Sequence, residues 1–93
     1  MPSAAEKLLA KMRQTKQGWG QNHLHTLYLG FGFTCREGAK HRVYIHSKYK
    51  DIRDTVSRQG SLPTGYITDA IKKVDEVLRR EADNEETPEG GKA

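Results

Sequence analysis

Near the start of the chain Ala5, Leu8, Leu9 and Met12 recur at i, i+3, i+4 and i+7, one stripe of a helix. Ser3 followed by Glu6 is a capping box that starts it, and Lys7, Lys11 and Lys16 stay off the stripe. Gln14 to Gln21 breaks the period, with Trp19 held between Gly18 and Gly20. Helical spacing resumes at Leu24, Leu27, Tyr28 and Phe31, with Asn22 as the expected N-cap and Gly30 or Gly32 as the stop. The period then falls to two. Phe33 and Cys35 alternate with Thr34 and Arg36, Gly38-Ala39 makes a turn, and Val43 and Ile45 alternate with Arg42, Tyr44 and His46. This predicts two antiparallel strands with Phe33, Cys35, Val43 and Ile45 on the core face. Residues 52–57 predict a third strand whose parity sets Asp54 beside Ile52 and Val56 on that face, so either a bulge intervenes or the boundary is off by one. Pro63 opens a long helix with Ile67, Ala70, Ile71, Val74 and Leu78 as its apolar stripe and Val77 on the edge.

Strands followed by a covering helix read as α+β. The expected divisions are a helical extension over 1–21, a core domain over 22–80 and a tail over 81–93. The tail has no apolar periodicity and reads as disordered or frayed helix. Of the 93 residues 34% are apolar, seven of them alanine, which suffices for one thin two-layer core. Several domains and a large enclosed substrate cavity are thereby excluded. No apolar run approaches the ~18 residues of a membrane span, and the N-terminus lacks a signal-peptide stretch, so the expectation is a cytoplasmic protein without a membrane partner. A lone cysteine, Cys35, makes no internal disulfide or cysteine-pair metal site, and its alternation with Phe33 predicts a buried thiol. His23 and His25 stand two apart on different helix faces, which argues against a shared metal. No GxxxxGK loop is present, and neither cofactor nor metal is expected.

Charge changes the picture more than composition does. The net charge is +4, but residues 81–93 hold five of the twelve acids and one of the sixteen bases, leaving fifteen bases against seven acids before them. The natural counter-ion of so basic a body is phosphate. Arg36, Lys40, Arg42, Lys48, Lys50, Arg53 and Arg58 crowd into one segment against Glu37, Asp51 and Asp54. The predicted strand parity puts Arg36, Arg42, Tyr44, His46 and Arg53 on the face away from the core. Arginines for phosphates and Tyr44 for a base or sugar make that face a candidate RNA surface, with a solvated sheet or the docking face of an acidic protein as the alternatives. Histidine is the side chain here suited to proton transfer, and RNA cleavage needs little beyond such a group and cations to stabilise the phosphorane. His41 and His46 lie among the strand bases.

Three segments carry a resemblance. Leu24 to Phe33, ending Leu-Gly-Phe-Gly-Phe, resembles the short helix that opens the HicA toxins of type II toxin–antitoxin systems. Arg36-Glu-Gly-Ala-Lys-His41-Arg-Val-Tyr44 is similar to that family's Gly-Ser-His turn with an aromatic three residues beyond the histidine, here with one more residue between glycine and histidine. Gly60-Ser-Leu-Pro-Thr-Gly65-Tyr-Ile-Thr-Asp-Ala-Ile71 resembles the lead-in to its final helix. The resemblance covers roughly residues 22–80. It implies a double-stranded-RNA-binding-like α-β-β-β-α core with a three-stranded antiparallel sheet, to which this chain adds an N-terminal helix. It also implies a toxin acting as an mRNA interferase, an endoribonuclease neutralised by a cognate HicB-like antitoxin, with His41 as the catalytic residue; the strand parity, which groups His41 with Val43 and Ile45, makes His46 the alternative. Expected RNA-binding residues are Arg36, Lys40, Arg42, Tyr44, His46 and Arg53. A non-catalytic RNA-binding module and a protein-interaction adaptor are the competing readings, and the N-terminal helix is expected to pack on the body or on a second copy of the chain.

Overall fold

Ser3 accepts the Glu6 N–H at 3.1 Å while the Glu6 carboxylate accepts the Ser3 N–H at 2.7 Å, so the capping box forms as the sequence predicts. It launches α1 (Ala4–Gln14), followed by α2 (Gln21–Gly30), β1 (Phe33–Glu37), β2 (His41–His46), β3 (Arg53–Ser57) and α3 (Thr64–Glu86). These elements come from a computed structural model, which describes residues 3–86. The strands form one antiparallel sheet in the order β1-β2-β3, and the fold is α+β with three helices. Among the described residues no helix is long and apolar enough to cross a membrane.

One face of the sheet lies under the helices. Tyr28, Phe33 and Tyr44 form an aromatic cluster there, with ring centroids 4.6 Å apart for Tyr28–Phe33 and 4.9 Å for Tyr28–Tyr44. Leu24, Leu27, Val56, Ile67, Ala70 and Val74 are fully buried around it. Asp54 does face inward, and β3 needs no bulge to put it there: the Tyr28 hydroxyl donates to its carboxylate at 2.7 Å. Burial nevertheless pushes the Asp54 carboxyl above its ordinary value.

The N-terminal helix packs on the body. Ala5, Leu9 and Met12 are buried in the core, Leu8 is half-buried, and Arg13 forms a two-pronged ion pair with Asp75 of α3. The connection after α1 is stitched to the β3–α3 connection, since Gln21 N–H donates to the Gln59 carbonyl at 3.0 Å and Leu62 N–H to the Trp19 carbonyl at 2.9 Å. Gly20 is required at this seam, because a Cβ there would lie 1.9 Å from the Gly60 carbonyl oxygen. The same seam moves the start of α2. Gly20, not Asn22, is the N-cap, and its N–H donates to the His23 Nδ1 at 2.9 Å.

Two expectations for α3 change. Val77 is buried while Leu78 is 42% exposed, so at this end of α3 the buried seam runs through Val74 and Val77, at i and i+3, instead of Val74 and Leu78. The helix also continues past residue 81 to Glu86. Glu81 accepts from the Tyr49 hydroxyl at 2.5 Å and from Lys48 at 3.3 Å, and Asn84 donates to Tyr49 at 2.6 Å, so tertiary partners hold the extra turns. The rest of the expected tail, from residue 87, lies outside the described residues.

Met12→Ala should therefore cost about 2–5 kcal/mol, as removal of a fully buried side chain does, read as a lower midpoint in denaturant unfolding. A second prediction concerns acid. The Arg80 guanidinium, which also bonds Glu76, holds the Asp51 carboxyl down to about 2, well below its ordinary value. A lowered native pKa contributes stability above the unfolded value and loses it as the pH falls. The melting temperature should drop between about pH 4 and pH 2, and Asp51→Asn should shrink that drop, modestly for so exposed a pair.

Candidate nucleic-acid interface

In β2 the register pairs Cys35 with Tyr44 and Tyr44 with Asp54, which puts all three on the helix-covered face. By the alternation of a strand, Val43 and Ile45 then point the other way, beside Arg36, Thr55, Thr34 and Arg53. This inverts the predicted faces of β2. Tyr44 is 0% exposed and His46 is 5% exposed, whereas Val43 and Ile45 are half-buried on the open side. Neither Tyr44 nor His46 offers a ring to a ligand. The reason lies in their partners. The Tyr44 hydroxyl accepts from Gln21 Nε2 at 2.6 Å and lies 2.8 Å from His25 Nδ1, so the buried phenol is satisfied by α2. Burial pushes its pKa up to about 12.

His46 is bound just as completely. Its Nδ1 accepts the N–H groups of Lys48 and Tyr49, each at 3.0 Å, so the proton resides on Nε2, which donates to the Phe31 carbonyl at 3.1 Å. Gly32, at φ +94°, passes so close that a Cβ would sit 2.9 Å from His46 Nε2. His46 is a structural clasp on the loop after β2.

The remaining sequence-predicted residues fall into two groups. Arg36 and Arg53 lie exposed on the open sheet face, with Lys40 exposed at the β1–β2 turn. No strand residue on that face is acidic. Arg42 instead shares the covered side and reaches its rim, donating to Glu37 at 2.9 Å and to Gln21 Oε1 at 2.7 Å. That hydrogen bond holds the Glu37 carboxyl below its ordinary value.

His41 is the first residue of β2, exposed and paired across the ladder with Ser57. Its carbonyl accepts the Gly38 N–H at 2.9 Å, so Ala39 and Lys40 form the tip of a tight hairpin. Arg58 braces that hairpin by donating from its backbone to the Lys40 carbonyl at 3.0 Å and from Nη1 to the Gly38 carbonyl at 2.8 Å. Among the described residues no hydrogen bond reaches the His41 ring itself.

Arg58 also connects the turn to a feature that sequence reasoning missed. A cleft of about 280 Å³ opens between the start of α2, Arg42 and the β3–α3 connection, lined by Asn22, His23, Arg42, Arg58 and Gln59 side chains. No acid lines it among the described residues, although Glu37 stands 3.5 Å from Arg58. Segments about forty residues apart meet here through the seam at Gly20, and no local pattern announces such a meeting. Phosphate oxygens suit this lining, with two guanidinium groups and the N-terminal end of α2 on one side. No group of three or more His, Cys, Asp or Glu is placed to hold a metal among the described residues.

Tyr44→Phe separates the two accounts of that residue. Loss of the buried hydroxyl strands the Gln21 amide and should cost about 1–3 kcal/mol in denaturant unfolding. RNA affinity at low temperature should stay unchanged, whereas a stacking role for Tyr44 would lower affinity and leave stability alone.

Comparison of the chain with protein-family models, with curated proteins and with solved structures gives no match.

Proposed function

We propose that this protein binds RNA along the open sheet face and the hairpin end next to it, and that it is a HicA-like ribonuclease toxin with His41 as its acid–base group. The observation that carries the binding is the acid-free open face, where Arg36, Arg53, Lys40 and His41 are exposed together. Phosphates are drawn to such a surface by counter-ion release as well as by direct pairing. The order of helix, three strands and helix over residues 21–86 supports a double-stranded-RNA-binding-like core, with α1 as an addition. The resemblance of the Gly38 to Tyr44 segment to the HicA turn adds the catalytic assignment.

In that reaction a neutral His41 imidazole takes the proton of a 2′-hydroxyl. The 2′-oxygen attacks the adjacent phosphorus, the bond from phosphorus to the 5′-oxygen breaks, and the 5′-oxygen leaves with a proton from solvent. Lys40, which precedes His41 at the exposed hairpin tip, stabilises the charge on the phosphorane, with Arg58 bracing the hairpin beneath it. An acidic antitoxin of the HicB type would cover the same face, pairing with Arg36 and Arg53 around Val43 and Ile45. A second reading, a non-catalytic RNA-binding module, is favoured by one observation. Among the described residues no hydrogen bond orients the His41 ring, whereas activated groups usually have an orienting partner.

Cleavage and binding of a single-stranded RNA by the purified protein test both. His41→Gln should lower the cleavage rate by about 10²–10⁴ with affinity unchanged. Arg36→Ala and Arg53→Ala should each flatten the dependence of log K on log salt by about 0.7. Salt-dependent binding without cleavage establishes the module instead. Binding that ignores salt removes RNA as the partner.

A further inference from the structure

The N-terminal helix does more than close the core. With Ala5, Leu9 and Met12 turned inward, α1 presents Lys7 and Lys11, one turn apart, along its junction with α2. Between the two helices runs a groove of about 420 Å³ lined by Lys7, Leu8, Lys11, Trp19, His23 and Thr26. No acid lines it. The acid of α1, Glu6, is turned to the Ser3 N–H, and neither lysine ammonium has an acidic partner among the described residues.

Trp19 gives the groove an aromatic wall. Its Nε1–H donates to the Thr15 carbonyl at 2.9 Å, so its polar edge is satisfied and its ring plane is held. The ring is half-buried and meets the His23 ring edge-on at 5.0 Å. His23 lines both this groove and the 280 Å³ cleft at Arg42 and Arg58, so the two adjoin at the start of α2. His23 Nδ1 is occupied by the Gly20 N–H, which leaves Nε2 to face a ligand.

An immobilised indole beside two unpaired ammonium groups is the chemistry of single-strand nucleic acid binding, where bases stack on aromatic rings and cations follow the backbone. We infer that the α1–α2 groove is a second RNA subsite, taking a nucleotide of the single strand that continues from the Arg42–Arg58 cleft, with its base on Trp19 and its phosphates at Lys7 and Lys11. The inference rests on the RNA-binding reading above and extends it to residues outside the stretch that resembles HicA. It assigns the extra helix a share in choosing single strands, since a groove between two helices admits one strand and not a duplex.

Trp19 is the one tryptophan in the chain, so its emission reports directly on the groove. The full-length protein, carrying His41→Gln to prevent cleavage, is titrated with an oligoadenylate of about eight nucleotides, within the usual site size. Saturable quenching of Trp19 is expected. Lys7→Gln with Lys11→Gln should weaken binding and flatten the slope of log K against log salt by about 1.4, the value for two single-strand phosphate contacts, with the melting temperature unchanged. Binding of the oligonucleotide, seen by polarisation of a 3′ dye, with Trp19 emission and salt slope unaffected would overturn the subsite and leave the RNA-binding reading standing. Absence of any RNA binding at low salt would remove both. Equal quenching by polyglutamate, with full competition against the RNA, would reassign the groove to an acidic protein.

Discussion

A tyrosine ring at the centre of a sheet takes its hydroxyl into the core, and that hydroxyl must find partners there or cost the fold about 1–3 kcal/mol. Tyr44 is fully buried, and its partners Gln21 and His25 both come from α2. Gln21 in turn accepts from Arg42, which also binds Glu37. One chain of hydrogen bonds therefore ties the first turn of α2 to β1 and β2. The phase of β2 follows from it, as do the burial of His46 and the placement of exposed His41 and half-buried Val43 and Ile45 on the opposite side.

The start of α2 is a junction for the whole molecule. Gly20 lies against Gly60, His23 returns to cap the helix, and the 19–21 and 59–62 segments pair through their backbones. These contacts carry α1 onto the body and create the cleft beside Arg42 and Arg58. The groove at Trp19 adjoins that cleft through His23, so the element that closes the core also extends the charged surface.

Charge is sorted between the two sides. On the helical side Arg13 pairs with Asp75, Arg79 with Glu76 and Asp83, and Arg80 with Asp51 and Glu76. Such exposed pairs contribute little to stability, but they occupy these arginines with carboxylates. Arg36, Lys40, Lys7 and Lys11 have no such acidic partners among the described residues, and Arg53 bonds only the Lys50 carbonyl. Cations without an acidic partner among the described residues are thus found on the open sheet face, the hairpin and α1.

Periodicity by itself determined the three helices, the three strands and the hairpin at Gly38, because each rests on spacing within a few residues, whereas the inward position of Asp54 without a bulge was settled by the register with Tyr44 and the bond from Tyr28. The count of charged residues likewise established the excess of base before residue 81. What spacing could not decide was which side of β2 would be covered. A period of two defines two faces without ranking them, and Val43 with Ile45 is as apolar a pair as the core needs. The tertiary structure decided for Tyr44 and His46, since their polar atoms have partners only inside: Gln21 and His25 for one, Phe31, Lys48 and Tyr49 for the other. The same holds for the cleft and for the last turns of α3, whose residues meet partners about thirty to forty positions away. Contacts at that separation are set by how elements pack, and packing is not written in any local stretch of the chain.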